Sequence, residues 1–155
     1  MSLIAWGGGM PYSVTCSQPH PITANFSRAT NYNGIMDRGQ LESYKYFESN
    51  IRALHESVKQ AETYKTSWLP PALILKIDRV IQQDTDEIAR YEQAKSEVET
   101  FINGIDDDEI KQIMIARYIK AMKWEKVTEK VLGPYYSPLA AAVKCKRYLK
   151  KHGIV

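Results

Sequence analysis

The chain has 155 residues, 44% of them hydrophobic and 25% charged, which suits one modest globular unit with an ordinary core. Its net charge of +3 is too mild to indicate a nucleic-acid partner by itself. No apolar run approaches the length of a membrane span, no basic region precedes an apolar core at the N-terminus, and the two cysteines, Cys16 and Cys145, form neither a disulfide framework nor a zinc motif.

The cysteine usage fits a reducing cytoplasm. His20, His55 and His152 are scattered and share no metal-ligand spacing. No Cys/His pair, Ser-His-Asp set, phosphate loop or pair of catalytic carboxylates stands at usable spacing, so the expectation is a protein that is not an enzyme and carries no cofactor or metal. The distribution of charge says more than its total. From Ile110 to Val155 there are eleven cations and two acids, a balance of +9, whereas the rest of the chain holds ten cations and sixteen acids, a balance of −6. A basic end on an acidic body fits a protein with one surface turned to nucleic acid, and the plainer reading is a solubilising tail.

Residues 1–36 are rich in Gly, Pro, Ser, Thr and Asn and have no sustained period. Pro11, Pro19 and Pro21 forbid a helix through them. An irregular arm lying on the helices is expected, with a short hairpin of "YSVTCS" and "PITANF" as the alternative. The opening "MSL" can be an added leader, with Met10 or Met36 as the native start.

Residues 37–103 change period. Tyr44, Phe47, Ile51, Leu54, Val58 and Ala61 recur at steps of three and four, the seam of a helix. "SWLPP" at 67–71 stops it, because proline removes a backbone donor and restricts its predecessor. A second seam follows in Ile74, Ile77, Ile81, Ile88, Tyr91, Val98 and Ile102, interrupted by Asp84 and Lys95. Two seams joined by a short break predict an antiparallel helical hairpin, able also to form a homo-oligomer through its other faces; a heptad pattern this short more often marks intramolecular packing than a long coiled coil. Asn103-Gly104 is expected to end the second helix in the left-handed conformation. Asp106 and Glu109 stand at capping-box spacing, and Asp106, Asp107 and Asp108 suit the positive end of a helix dipole better than a metal site.

Residues 104–155 predict three helices, to about Met122, over about Trp124 to Leu132, and from Pro138 to about Lys151. Gly133 supplies a sharp turn, Ser137 is the expected N-cap, and Pro138 takes the first helical position. Two short helices around a tight Gly-containing turn make a helix-turn-helix, whose second helix enters the major groove. In that helix Ala142, Cys145 and Leu149 form the core stripe, bordered by Ala141 and Tyr148, and should pack on Val127, Val131 and Tyr118. Ala140, Lys144, Arg147 and Lys151 form the opposite stripe, turned to phosphates and base edges. The expected double-stranded-DNA-binding set is Tyr135, Tyr136, Ser137, Ala140, Lys144, Lys146, Arg147, Lys150 and Lys151. Trp124 is expected to be structural, its ring under two helices.

The stretch from Ile110 to His152 resembles the C-terminal module of sigma-factor-like phage transcription regulators, the late-gene activators and autolysin-regulator relatives. The resemblance is carried by Arg117-Tyr118-Ile119, a short spacer, Trp124-Glu125-Lys126-Val127 and the closing "KRYLKK". It covers about a third of the chain well and the hairpin loosely, through a linker like that from Ile102 to Asp108. The departures are Thr128 where a small alanine is usual, two tyrosines in "GPYYS", and "SPLAAAVKC", which lacks the polar residues that commonly read bases. The family's module is similar to region four of bacterial sigma factors. The resemblance therefore implies a phage or prophage transcription regulator that contacts promoter DNA and bacterial RNA polymerase. Two other readings fit the same organisation: a small terminase-like DNA-packaging subunit of a phage, and a helical protein-interaction module that binds no DNA.

Overall fold

The computed structural model of the chain describes residues 36–154. Of the arm expected over residues 1–36, all but Met36 lies outside them. The described residues are all-α. They comprise α1 (Arg38–Tyr64), α2 (Pro71–Asn103), α3 (Asp108–Met114) running into one π-helical stretch (Ile115–Ile119), α4 (Trp124–Val131) and α5 (Ala140–Lys151).

The hairpin forms as the two seams predict. Asp37 caps α1, its carboxylate accepting from the Gly39 amide while the Gln40 side chain accepts from the Asp37 amide. This reciprocal cap satisfies donors that the first turn leaves unpaired. The helix stops at Tyr64, and Pro71 opens α2 at a position where its missing N–H is harmless. Cross-links between the helices show the antiparallel register: Tyr44 donates to Glu99, Lys95 pairs with Glu48 at 2.8 Å, Ser57 donates to Asp84 at 2.6 Å, and Lys65 pairs with Asp78 at 2.6 Å. Both interruptions of the second seam are thus bonded across the hairpin. Lys95 also holds the Glu48 carboxyl below the usual carboxylate range.

Burial along the hairpin is uneven. Leu41, Phe47, Ile88, Tyr91, Ala94, Val98 and Ile102 are buried, all but Ile88 in the core shared with the C-terminal helices, whereas Leu54, Val58, Ala61, Ile74, Ile77 and Ile81 are only half-buried. Two helices alone cover each other on one stripe, so the distal half has no third layer. Its tip leaves Tyr64, Trp68, Leu73, Leu75 and Val80 exposed. At the base, α3 and the π stretch supply the third layer, and α4 and α5 pack on these two in turn. One continuous core runs from Leu41 and Phe47 through Val98, Ile113, Tyr118 and Val127 to Cys145, Leu149 and Ile154. The hairpin and the C-terminal module therefore share a core rather than each holding its own.

Three local expectations are corrected. Gly104 closes α2 with φ −79°, ordinary right-handed backbone, and Lys111 Nζ donates to the Asn103 carbonyl at 2.8 Å, satisfying the helix end without a left-handed residue. The N-cap of α3 is Asp107, not Asp106. Its carboxylate accepts from the amides of Glu109 at 3.0 Å and Ile110 at 3.1 Å, so the acids of the first turn are Asp108 and Glu109. The first module helix does not run to Met122. It turns π-helical at Ile115 and ends at Ile119, where the Lys120 amide reaches the Ile115 carbonyl and the Met122 amide the Ala116 carbonyl. Between them Ala121 adopts φ +52°, a conformation that disfavours any residue with a Cβ.

Truncating Phe47, 1% exposed, opens a cavity in the shared core, and Phe47→Ala should cost about 3–5 kcal/mol in urea denaturation. Ala121 is exposed, so Ala121→Gly should raise stability by about 0.5–1 kcal/mol in the same measurement, the relief of the left-handed backbone exceeding the extra entropy that glycine gives the unfolded chain.

Candidate nucleic-acid interface

The geometry of α4, its turn and α5 begins at Thr128. This residue is 1% exposed, and its hydroxyl donates to the Pro138 carbonyl at 2.9 Å and accepts from the Ala141 amide at 3.2 Å. A buried hydroxyl needs such partners, and here it makes both of its bonds to the start of the next helix. Gly133 makes the turn possible at φ +100°, its amide reaching the Thr128 carbonyl at 3.1 Å. Ser137 is not the N-cap of α5. The helix starts at Ala140, after a tight turn in which the Ala140 amide bonds the Ser137 carbonyl at 2.8 Å, and the side chain that satisfies its first turn comes from Thr128 on α4. At the far end of α5, Gly153 (φ +72°) and the bond from the Ile154 amide to the Leu149 carbonyl at 2.9 Å close the helix, with Ile154 buried behind it.

Trp124 opens α4 half-buried, its ring edge-on to Tyr118 with centroids 6.4 Å apart and the Arg117 guanidinium 4.9 Å over it. Arg117 also donates to the Met122 carbonyl at 2.8 Å. This cluster spans the joint between the π stretch and α4, in keeping with a structural tryptophan. Tyr118 lies beneath it against Cys145 of α5, and burial pushes the pKa of both groups up.

The buried side of α5 is Ala141, Cys145 and Leu149, with Ala142, Lys144 and Tyr148 half-buried beside it. The core stripe is therefore centred nearer Ala141 than expected, and the outward face turns with it. Lys144 is not on that face. It pairs with Glu109 at the start of α3 and lies 5.8 Å over the Tyr136 ring; its bond to Glu109 raises its pKa. Tyr148, raised chiefly by burial, lies near Asp106 and Asp107. The acids ahead of Ile110 thus flank one side of α5 and offset part of the +9 counted beyond them.

The outward face of α5 carries Leu139, Val143, Lys146, Arg147 and Lys150, all exposed, with Lys151 at its edge. Among the described residues none of these cations makes an ion pair, whereas Lys126 is held by Glu129 at 3.0 Å. Tyr135, 98% exposed, and Tyr136 and Ser137, both exposed, project from the turn, and Ala140 is half-buried. Of the expected set, the structure gathers Lys146, Arg147 and Lys150 on one free face, leaves Tyr135, Tyr136 and Ser137 exposed in the turn with Tyr136 against Lys144, and assigns Lys144 to α3. Val143 and Leu139 were missed. The signal was the four-residue step Ala141–Cys145–Leu149, whose opposite side is Val143.

Thr128→Val keeps the shape and removes both bonds, leaving the Ala141 amide unpaired beneath the turn. It should cost about 1–3 kcal/mol in chemical denaturation, while Thr128→Ser, which restores the hydroxyl, should recover most of that loss. Comparison with protein-family models, with curated proteins and with solved structures finds no match to this chain.

Proposed function

We propose that the chain is a double-stranded-DNA-binding protein whose α5 enters the major groove, acting as a sigma-factor-like transcription regulator of a phage or prophage. The observation that carries the DNA contact is the cluster of Lys146, Arg147 and Lys150 on one exposed face of α5, unpaired among the described residues while Lys144 and Lys126 are paired. A helix is about 10–12 Å across and the major groove about 12 Å wide, so one helix fills it. Cations left free on such a helix bind phosphates and release counterions. Gly133, the Thr128 bonds and the Trp124 cluster support the reading by presenting α5 at a fixed angle on the module. The regulatory role, and a contact with bacterial RNA polymerase, rest on the resemblance carried by Arg117-Tyr118-Ile119, Trp124-Glu125-Lys126-Val127 and the basic end of α5.

Salt titration of duplex binding tests this. Each phosphate contact removed lowers the slope of log affinity against log salt by about 0.9, so replacing Lys146, Arg147 and Lys150 together by Ala should lower it by about 2.7 and weaken binding at every salt concentration. Lys144→Ala should change the slope less, because Glu109 already holds that ammonium. The three positions are exposed, so the triple variant should melt as the parent does. An unchanged slope in a folded triple variant overturns the assignment of this face to DNA.

A further inference from the structure

The outward stripe of α5 changes character midway. Its first turn presents Leu139, 54% exposed, and Val143, 46% exposed, one helical turn apart and joined by the bond from the Val143 amide to the Leu139 carbonyl at 3.1 Å. Its second half presents Lys146, Arg147 and Lys150. Of the other residues at the helix start, Ala140 and Ala142 are half-buried and small, Ala141 is buried, and Lys144 is turned to Glu109. No polar side chain of this first turn therefore stands beside Val143 on the outward face.

We infer that the first turn of α5 reads thymine methyl groups, and that the DNA preferred by this protein carries thymine, or another 5-methylpyrimidine, beneath Leu139 and Val143. The inference rests on the proposed entry of α5 into the major groove. In that mode the N-terminal residues of the helix meet base edges. Each base pair offers donors and acceptors there, and thymine alone among the standard bases offers a methyl group. Val143 and Leu139 have no donor or acceptor to give, so setting them over the N4 amine of cytosine or the O6 of guanine strips water from a polar group and returns nothing. Over a thymine methyl they bury apolar surface on both sides. The cations of the following turns supply the charge complementarity that identifies the occupant as a polyanion. An apolar protein partner would use the same two residues but would not depend on a base methyl.

The test uses the full chain and four 30-base-pair duplexes in fluorescence anisotropy at fixed salt. These are alternating A–T, the same sequence with deoxyuridine replacing thymidine, alternating G–C, and the same with 5-methylcytosine. Each buried methyl is worth about fourfold in affinity. The A–T duplex should therefore bind about four- to sixteenfold more tightly than its deoxyuridine form, and the 5-methylcytosine duplex more tightly than the G–C duplex. In Val143→Ala the first ratio should shrink towards one. Val143 is exposed, and alanine favours helix, so the variant should keep the parent's melting behaviour; the comparison among duplexes with the parent chain does not depend on it. Binding with equal affinity for thymine and uracil duplexes overturns the methyl inference and leaves the DNA-binding face standing. The same holds if the ratio persists unchanged in Val143→Ala. Binding to no duplex overturns both, and points to a protein partner for this face.

Discussion

The packing of Tyr118 beneath Trp124 and against Cys145 is the joint on which the arrangement of the described residues depends. The ring lies on the π-helical stretch, where the backbone between the hairpin base and the helix-turn-helix changes register. Leu41 of α1 is buried in the same core. One aromatic residue thus sits where α1, α4 and α5 converge, and the same core that holds the hairpin closed holds α5 in place. A disturbance at the hairpin base would be felt at the outward face through packed side chains rather than through a flexible linker.

The second constraint is the two-bond bridge of Thr128. Alanine at this position would leave the Ala141 amide and the Pro138 carbonyl without the hydroxyl that now serves both. Threonine instead carries the cap across from α4, so that the orientation of α5 is tied to its neighbour by hydrogen bonds as well as by Val127. Shape and polar satisfaction are then met by one residue, which explains why Ser137 is free to lie exposed in the turn.

Electrostatics divides α5 lengthwise. The acidic start of α3 lies along one flank and takes Lys144, while the opposite flank remains cationic. Counting charges along the chain from Ile110 onward separates acids and bases that the fold brings together, and it overstates how much positive charge faces outward. What remains is a narrow face that is apolar at the start of the helix and cationic at its end. The proposed duplex contact rests on that combination, with base methyls on the groove floor and phosphates along its rims.

The sequence by itself determined the helical class, the antiparallel hairpin and the division into a turn-linked pair of helices, because these follow from local rules. Apolar residues at three- and four-residue steps, prolines at 70 and 71 and glycine at 133 act on the backbone wherever the chain goes next. It also made Trp124 legible as a structural residue and Lys146, Arg147 and Lys150 as cations of one helix. Only the tertiary structure decided which way that helix faces. A stripe one residue to either side of the true one reads almost as well in a helix as short as α5, whose alanines at 140, 141 and 142 carry little phase information. The phase was settled by partners distant in sequence: Thr128 reaching the Ala141 amide, Tyr118 meeting Cys145, and Glu109 taking Lys144. The N-cap at Asp107 was likewise settled by the fold, because three consecutive aspartates are nearly equivalent as local caps, whereas Ala121 takes its left-handed backbone against local preference.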